Sequence, residues 1–114
     1  TYTGQLLAMY LLAYALGADA IRRSDLEQLP GWVDAALSLD SELAQRAERY
    51  RFMEHAVSVG RGVNYATAME FALKLMETCY VVAERFSSAD FLHGPIAMVE
   101  QSFPVFLFTP GGVT

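Results

Sequence analysis

Three groups of residues in this chain have the types and spacing to do chemistry. Glu70, Lys74 and Glu77 fall at i, i+4 and i+7, so on a helix all three project from one face. A partly desolvated carboxylate in that position becomes a base able to take a proton from a carbon beside a carbonyl. The lysine then holds either the carboxylate or the substrate. The same spacing also makes an exposed stripe of ion pairs, and spacing alone leaves both readings open. The position of Glu77 argues for use, because it ends the helix just before a buried strand, where a charge is costly unless paired. The second group is His93-Gly94-Pro95. Histidine is the side chain best suited to move protons near neutral pH. Here it precedes a glycine that permits close backbone approach and a proline suited to open a helix. A histidine at a turn also serves purely structural ends. The third group is Gly60-Arg61-Gly62, a tight turn after an apolar run. It is not a dinucleotide fingerprint, because Tyr65 stands where the third glycine would be. Gly111-Gly112 reads as a plain turn. His55 is assigned no role. The chain's two histidines lack spaced carboxylate or cysteine partners, so neither a metal site nor a cofactor is expected.

These residues need elements to position them, and the chain reads as helices followed by alternating strand and helix. Tyr2 to Leu16 is apolar on every side and ends at Gly17, a natural C′ residue, so this helix is expected to be buried all round. Ser24-Asp25-Leu26-Glu27 has capping-box spacing. Pro30 suits the first position of a following helix whose inner face carries Trp32, Val33, Ala36 and Leu37. A more polar helix is expected over 40–51, with Glu42, Arg46, Glu48 and Arg49 in solvent. A strand over 55–59 then runs into Gly60-Arg61-Gly62 and a helix over 65–78, the corner at which α/β proteins bind ligands. Further strands are expected over 79–83 and 104–108, separated by a polar stretch and a short helix over 94–99. Strands spaced by helices predict βαβ units and a parallel sheet within one domain.

Composition narrows the function classes. The chain is 54% hydrophobic and 18% charged, apolar for 114 residues, which points to a large interface or to a piece of a larger fold. The longest charge-free run, 1–18, only just reaches membrane-spanning length and carries Thr1, Thr3, Gly4 and Gln5, so no membrane partner is expected. No signal peptide is recognisable. A net charge of −5 without a basic stripe argues against nucleic acid, yet leaves room for one phosphate on a small ligand. The single cysteine, Cys79, forms no internal disulfide and is consistent with a cytoplasmic setting.

The string Gly60-Arg61-Gly62-x-Asn64-Tyr65, then Ala68-x-Glu70-x-Ala72-Leu73-Lys74-Leu75-x-Glu77, continues through Tyr80-x-x-Ala83-Glu84 to His93-Gly94-Pro95. Together these residues resemble the sugar isomerase (SIS) family, and closely the second half of the isomerase domain of the glucosamine–fructose-6-phosphate aminotransferases. Tyr2-Thr3-x-Gln5-Leu6 resembles the residues after that family's Ser-Thr-Lys loop. The likeness covers Thr1 to about Gly17 and Val57 to about Gly112, with only helical spacer between. It implies a three-layer αβα fold with a parallel flavodoxin-like sheet, present as a partial domain over 1–114. The family's phosphate loops would precede Thr1, and a lysine tail would follow Thr114.

The resemblance further implies that Glu77 is the base moving a proton between C1 and C2 of an open-chain sugar. His93 then assists ring opening, commonly in a neighbouring subunit, and Lys74 supports the glutamate. Gly60, Arg61, Gly62 and Glu70 are the matching substrate-binding positions, Glu70 with the alternative of merely anchoring Lys74. The implied substrate is a small phosphosugar, glucosamine 6-phosphate or fructose 6-phosphate. The implied assembly is a cytoplasmic homodimer with sites near the subunit interface. Val82 replaces the synthases' histidine, and the run Phe86-Ser87-Ser88-Ala89-Asp90 is similar to type II glucosamine-6-phosphate deaminases. Deaminase and isomerase outcomes therefore both stand. The alternatives are a phosphosugar-binding regulatory module or an inactive scaffold. The 114 residues alone are expected to be catalytically silent, since the phosphate loops lie outside them.

Overall fold

A computed structural model describes residues 2–111, and the chain forms two compact units, Thr1–Ala47 and Glu48–Thr114. The first unit holds α1 (Tyr2–Ala15), α2 (Arg23–Leu37) and α3 (Asp40–Ala47). Gly17, at φ +82, ends α1 as expected: its amide donates to the Tyr14 carbonyl and that of Ala18 to Ala13, both at 3.0 Å. The expectation that α1 is buried all round is not met. None of its residues is buried, and Leu6, Met9, Leu11 and Leu12 are exposed, because a unit of three helices cannot enclose an all-apolar one.

α2 starts earlier than expected and absorbs Pro30 into its interior rather than beginning there. Its N-cap is Arg22, not Ser24. The Arg22 guanidinium grips Asp25 in two bonds, Nε to Oδ2 at 3.1 Å and Nη2 to Oδ1 at 3.0 Å. That hydrogen bond holds the Asp25 carboxyl below its usual range. The stabilisation is therefore present at neutral pH and is lost as pH falls through the folded carboxyl's lowered value. Trp32, Val33 and Leu37, expected on an inner face, are exposed. α3 is shorter than predicted, giving way to a 3-10 turn at Glu48–Tyr50, and Glu42 and Arg46 pair in solvent at 2.6 Å.

The second unit is a parallel sheet of β1 (His55–Gly60), β2 (Val82–Ser87) and β3 (Val105–Phe108) in the order β2-β1-β3. α4 (Asn64–Lys74) covers one face and α5 (Ser88–Leu92) the other. Alternation along β1 builds both layers. Ala56 and Ser58 face α4, where Ala56 packs with Ala72 and Ala83, and the buried Ser58 hydroxyl donates to the Ala68 carbonyl at 2.7 Å. Val57 and Val59 face the other way and pack on Phe91 and Phe86. Phe71 of α4 meets Phe106 and Phe108 of β3 at 4.8 and 5.4 Å between ring centroids. The three-layer αβα arrangement and the flavodoxin-like strand order are as predicted.

Three local expectations change. The second strand lies at Val82–Ser87 instead of 79–83, because the helix before it runs on through a π turn, Leu75–Cys79, and ends in a left-handed Tyr80. The strand thus includes Glu84 and Arg85, tolerated because β2 is an edge of the sheet. The cap on α5 comes from Ser87, whose hydroxyl accepts from the Asp90 amide at 3.1 Å and donates to its carboxylate at 2.5 Å. Gly94 makes no close approach: its φ of 167° is extended backbone, and a Cβ there would meet nothing within 4 Å. Pro95 does open a 3-10 turn, Pro95–Met98. Gly112 of the expected Gly111-Gly112 turn lies outside the described residues.

Gly60 is the glycine that the fold requires. A Cβ there would overlap the Asn64 carbonyl and sit 2.9 Å from the Tyr65 nitrogen, all immovable backbone. Gly60→Ala is expected to lower stability by about 1–3 kcal/mol, the typical range for forcing extra atoms into a packed site. Gly94→Ala should leave stability unchanged. Chemical denaturation of both variants checks this, and equal midpoints would contradict it.

Candidate active site

α4 starts at the carboxyl end of β1 and runs back along the sheet, so its last turn lies beside the amino end of β2. There the predicted trio comes together. Lys74 Nζ lies 2.6 Å from Glu77 Oε2 and 3.5 Å from Glu70 Oε1. Glu70 is the covered member, its side chain 20% exposed, whereas Lys74 and Glu77 are about half exposed, at 51% and 49%. One ammonium therefore bridges an inner and an outer carboxylate. The bond to Glu77 raises the Lys74 pKa above its ordinary value, with the charges of Glu77 and Glu70 adding to the rise and partial desolvation opposing it. At neutral pH the lysine is a fixed cation beside a carboxylate that stays open to a ligand.

The backbone beneath the trio is irregular for a local reason. The Thr78 hydroxyl donates to the Lys74 carbonyl at 2.6 Å, a side-chain bond that competes with the helical ladder. The chain widens into the π turn, and the Tyr80 amide donates to the Leu75 carbonyl five residues back. Tyr80 then takes φ +57, an uncommon conformation for a bulky residue, with its side chain 89% exposed. π turns and strained residues of this kind gather at functional sites. Neither was anticipated from the sequence, where Thr78 ahead of an apolar run gave the only signal.

The other predicted residues lie elsewhere. His93 is the C-cap of α5, its amide donating to the Asp90 carbonyl at 3.1 Å and its side chain exposed. Because α5 packs on the face of the sheet opposite α4, one copy of the chain does not bring His93 to Glu77. Gly60, Arg61 and Gly62, the last at φ +56, form the turn at the carboxyl end of β1. The helix between Asn64 and Glu77 separates them from Glu77 by about 20 Å at ~1.5 Å per residue, and from Glu70 by about half that. The largest cavity described, about 760 Å³, opens between His55 and Val105 at the amino ends of β1 and β3, and no predicted site residue lines it.

Comparison with known proteins identifies the family of this fold. The SIS domain model matches residues 52–114, more than half of the chain. The chain belongs to the SIS domain family. This SIS chain is 40% identical, over 96% of its length, to glutamine–fructose-6-phosphate aminotransferase (isomerizing) of Acidithiobacillus ferridurans, and 39% identical over all of it to that of Pyrococcus horikoshii. It spans about a fifth of the length of these relatives, 19% and 20%. The likeness thus also runs through the segment between Gly17 and Val57, where the motifs show only spacer. Among solved structures, the C-terminal domain of glucosamine–fructose-6-phosphate aminotransferase from Francisella tularensis superposes with a TM-score of 0.70 at 38% identity. That match covers 74% of this chain and 24% of the other. Within the described residues, no helix of this SIS chain is long and apolar enough to cross a membrane.

Lys74 is the chain's only lysine, so its side-chain nitrogen gives one assignable signal. A raised folded pKa means that the pairing stabilises the fold fully below the unfolded value and is lost as pH rises through the folded one. NMR titration of Lys74 Nζ should show it more than half protonated at pH 10.5, its ordinary value. Glu77→Gln should return the midpoint towards that value. An unchanged midpoint in the variant would contradict the pairing.

Proposed function

We propose that the Glu70–Lys74–Glu77 cluster is the proton-transfer centre of an enzyme acting on an amino-sugar phosphate of the glucosamine 6-phosphate and fructose 6-phosphate type. The observation that carries this reading is the lysine bridge itself, 2.6 Å from the outward carboxylate, across the start of a π turn in an SIS chain. Glu77 is the base. Its carboxylate takes the proton from the carbon next to the carbonyl or imine and returns it one carbon away, passing through an enediol or enamine. Lys74 orients the carboxylate, and Glu70, more deeply placed, fixes Lys74. The isomerase outcome ends at the ketose. In the deaminase outcome water then attacks the imine carbon and ammonia leaves. The similarity to aminotransferases described as isomerizing supports the shared proton-transfer step.

His93 is the acid–base group for ring opening, and it serves the site of a second copy of the chain. Its place on the sheet face opposite α4 supports that assignment, and with it a homodimer whose sites lie near the subunit interface. Gly60, Arg61 and Gly62 belong to ligand binding at the far end of α4 and not to the proton-transfer centre.

One assay tests both assignments in the intact protein. Glucosamine 6-phosphate consumption is followed through ammonia and fructose 6-phosphate, for wild type, Glu77→Gln, His93→Ala and a mixture of the two variants refolded together. Each single variant should lose activity by about 10²-fold or more, the usual weight of a positioned acid or base. The mixture should regain activity that neither has alone, since one site of each mixed dimer keeps both groups. Ammonia release from glucosamine 6-phosphate identifies the deaminase; interconversion of fructose 6-phosphate and glucose 6-phosphate, followed in a parallel assay, identifies the isomerase. Full activity in Glu77→Gln would return the trio to a surface ion pair, and a silent mixture would place His93 in its own subunit. Binding of the sugar by wild type with neither product formed would favour the regulatory or scaffold reading.

A further inference from the structure

Tyr80 has a conformation and surroundings that the fold alone does not explain. It closes the π turn at φ +57 and ψ +26, the left-handed region that a Cβ disfavours. Glycine takes that region without steric cost, and this chain uses one for the same task at the end of α1, where Gly17 sits at φ +82. The turn into β2 therefore calls for left-handed backbone, not for a tyrosine. Packing does not call for one either. The side chain is 89% exposed and, among the described residues, joins none of the aromatic pairs that hold Tyr50, Phe71, Phe86 and Phe91. A bulky ring is thus held in solvent by a strained backbone and contributes nothing to the core. Strain that no packing contact offsets is a mark of functional positions.

The place of the ring points to its use. Tyr80 follows Glu77 by three residues, the spacing at which helical side chains are neighbours, with roughly 5–6 Å between Cβ atoms. Glu77 is half exposed, so a ligand that reaches its carboxylate comes within range of the ring. The charged ends of the trio offer that ligand hydrogen bonds and no apolar surface. A sugar needs both, because it presents patches of C–H as well as hydroxyls. An aromatic ring supplies a flat apolar surface for the C–H groups, while its own hydroxyl stays in water. We propose that Tyr80 is a substrate-contacting residue of the Glu77 centre, its ring forming the apolar wall against which the carbon chain of the sugar lies. The assignment rests on the reading of that centre as a sugar site. A sugar held by one face is limited in how it turns in front of the carboxylate, so the ring contributes orientation as well as affinity.

Calorimetric titration of the intact protein with fructose 6-phosphate, set beside chemical denaturation, separates this role from a structural one. Tyr80→Gly should weaken sugar binding by about tenfold, the weight of one lost aromatic contact. Its denaturation midpoint should stay level or rise, because glycine relieves the left-handed strain. Tyr80→Phe keeps the ring and should bind within about twofold of wild type. Undiminished binding by Tyr80→Gly would overturn the proposal. So would a fall in its midpoint, which would give the ring a packing role in the assembled protein. Binding does not require turnover, so the two readings fail separately. A protein that binds the sugar through Tyr80 but exchanges no proton upholds Tyr80 and contradicts Glu77 as the base. No binding by wild type would overturn both.

Discussion

The contact between Gly60 and the first turn of α4 is the constraint on which the rest of the second unit depends. With no Cβ at Gly60, the backbone of Asn64 and Tyr65 closes against the end of β1. The Ser58 hydroxyl then ties the helix down one turn later, at the Ala68 carbonyl. Once α4 lies flat along the sheet, Ala68 and Ala72 can be fully buried and Phe71 can reach β3. The face left uncovered is the one that carries Glu70, Lys74 and Glu77. A larger residue at position 60 would tilt the helix and move those three groups together.

An antiparallel helix on a parallel sheet also divides the unit's chemistry between two ends. The carboxyl end carries the Gly60-Arg61-Gly62 turn. The amino end carries two carboxylates around one ammonium, which fixes the outer carboxylate in place. The surface pairs elsewhere, such as Glu42–Arg46 and Glu48–Arg51, contribute little to stability because both partners are well solvated. The trio, like Arg22–Asp25, has one covered member, here Glu70, which makes the lysine's position a property of the fold and not of two mobile side chains.

Much of this was legible in the sequence because the signals were periodic. The apolar run over 55–59 ahead of Gly60-Arg61-Gly62 and the i, i+4, i+7 spacing of Glu70, Lys74 and Glu77 each point to one geometry, and the structure has it. The parallel sheet followed from βαβ logic, and the three layers and flavodoxin-like sheet from the resemblance to the SIS family. What the pattern did not reveal was where hydrogen bonding departs from it. Thr78 diverting the Lys74 carbonyl, and Tyr80 in a left-handed turn, pushed the second strand three residues onward. Ser87 and Asp90 formed a cap inside what read only as a polar stretch. Pro30 looked like a helix start because proline suits that position, but the Arg22–Asp25 pair had already begun the helix.

The central claim is that Glu77 moves a proton on and off a sugar carbon. The most direct measurement is deuterium incorporation into fructose 6-phosphate incubated with the intact protein in heavy water, read at C1 by NMR without any need for net turnover. The account predicts deuterium at C1 with wild type and none above background with Glu77→Gln. Equal incorporation by the variant would contradict it, as would none by the wild type.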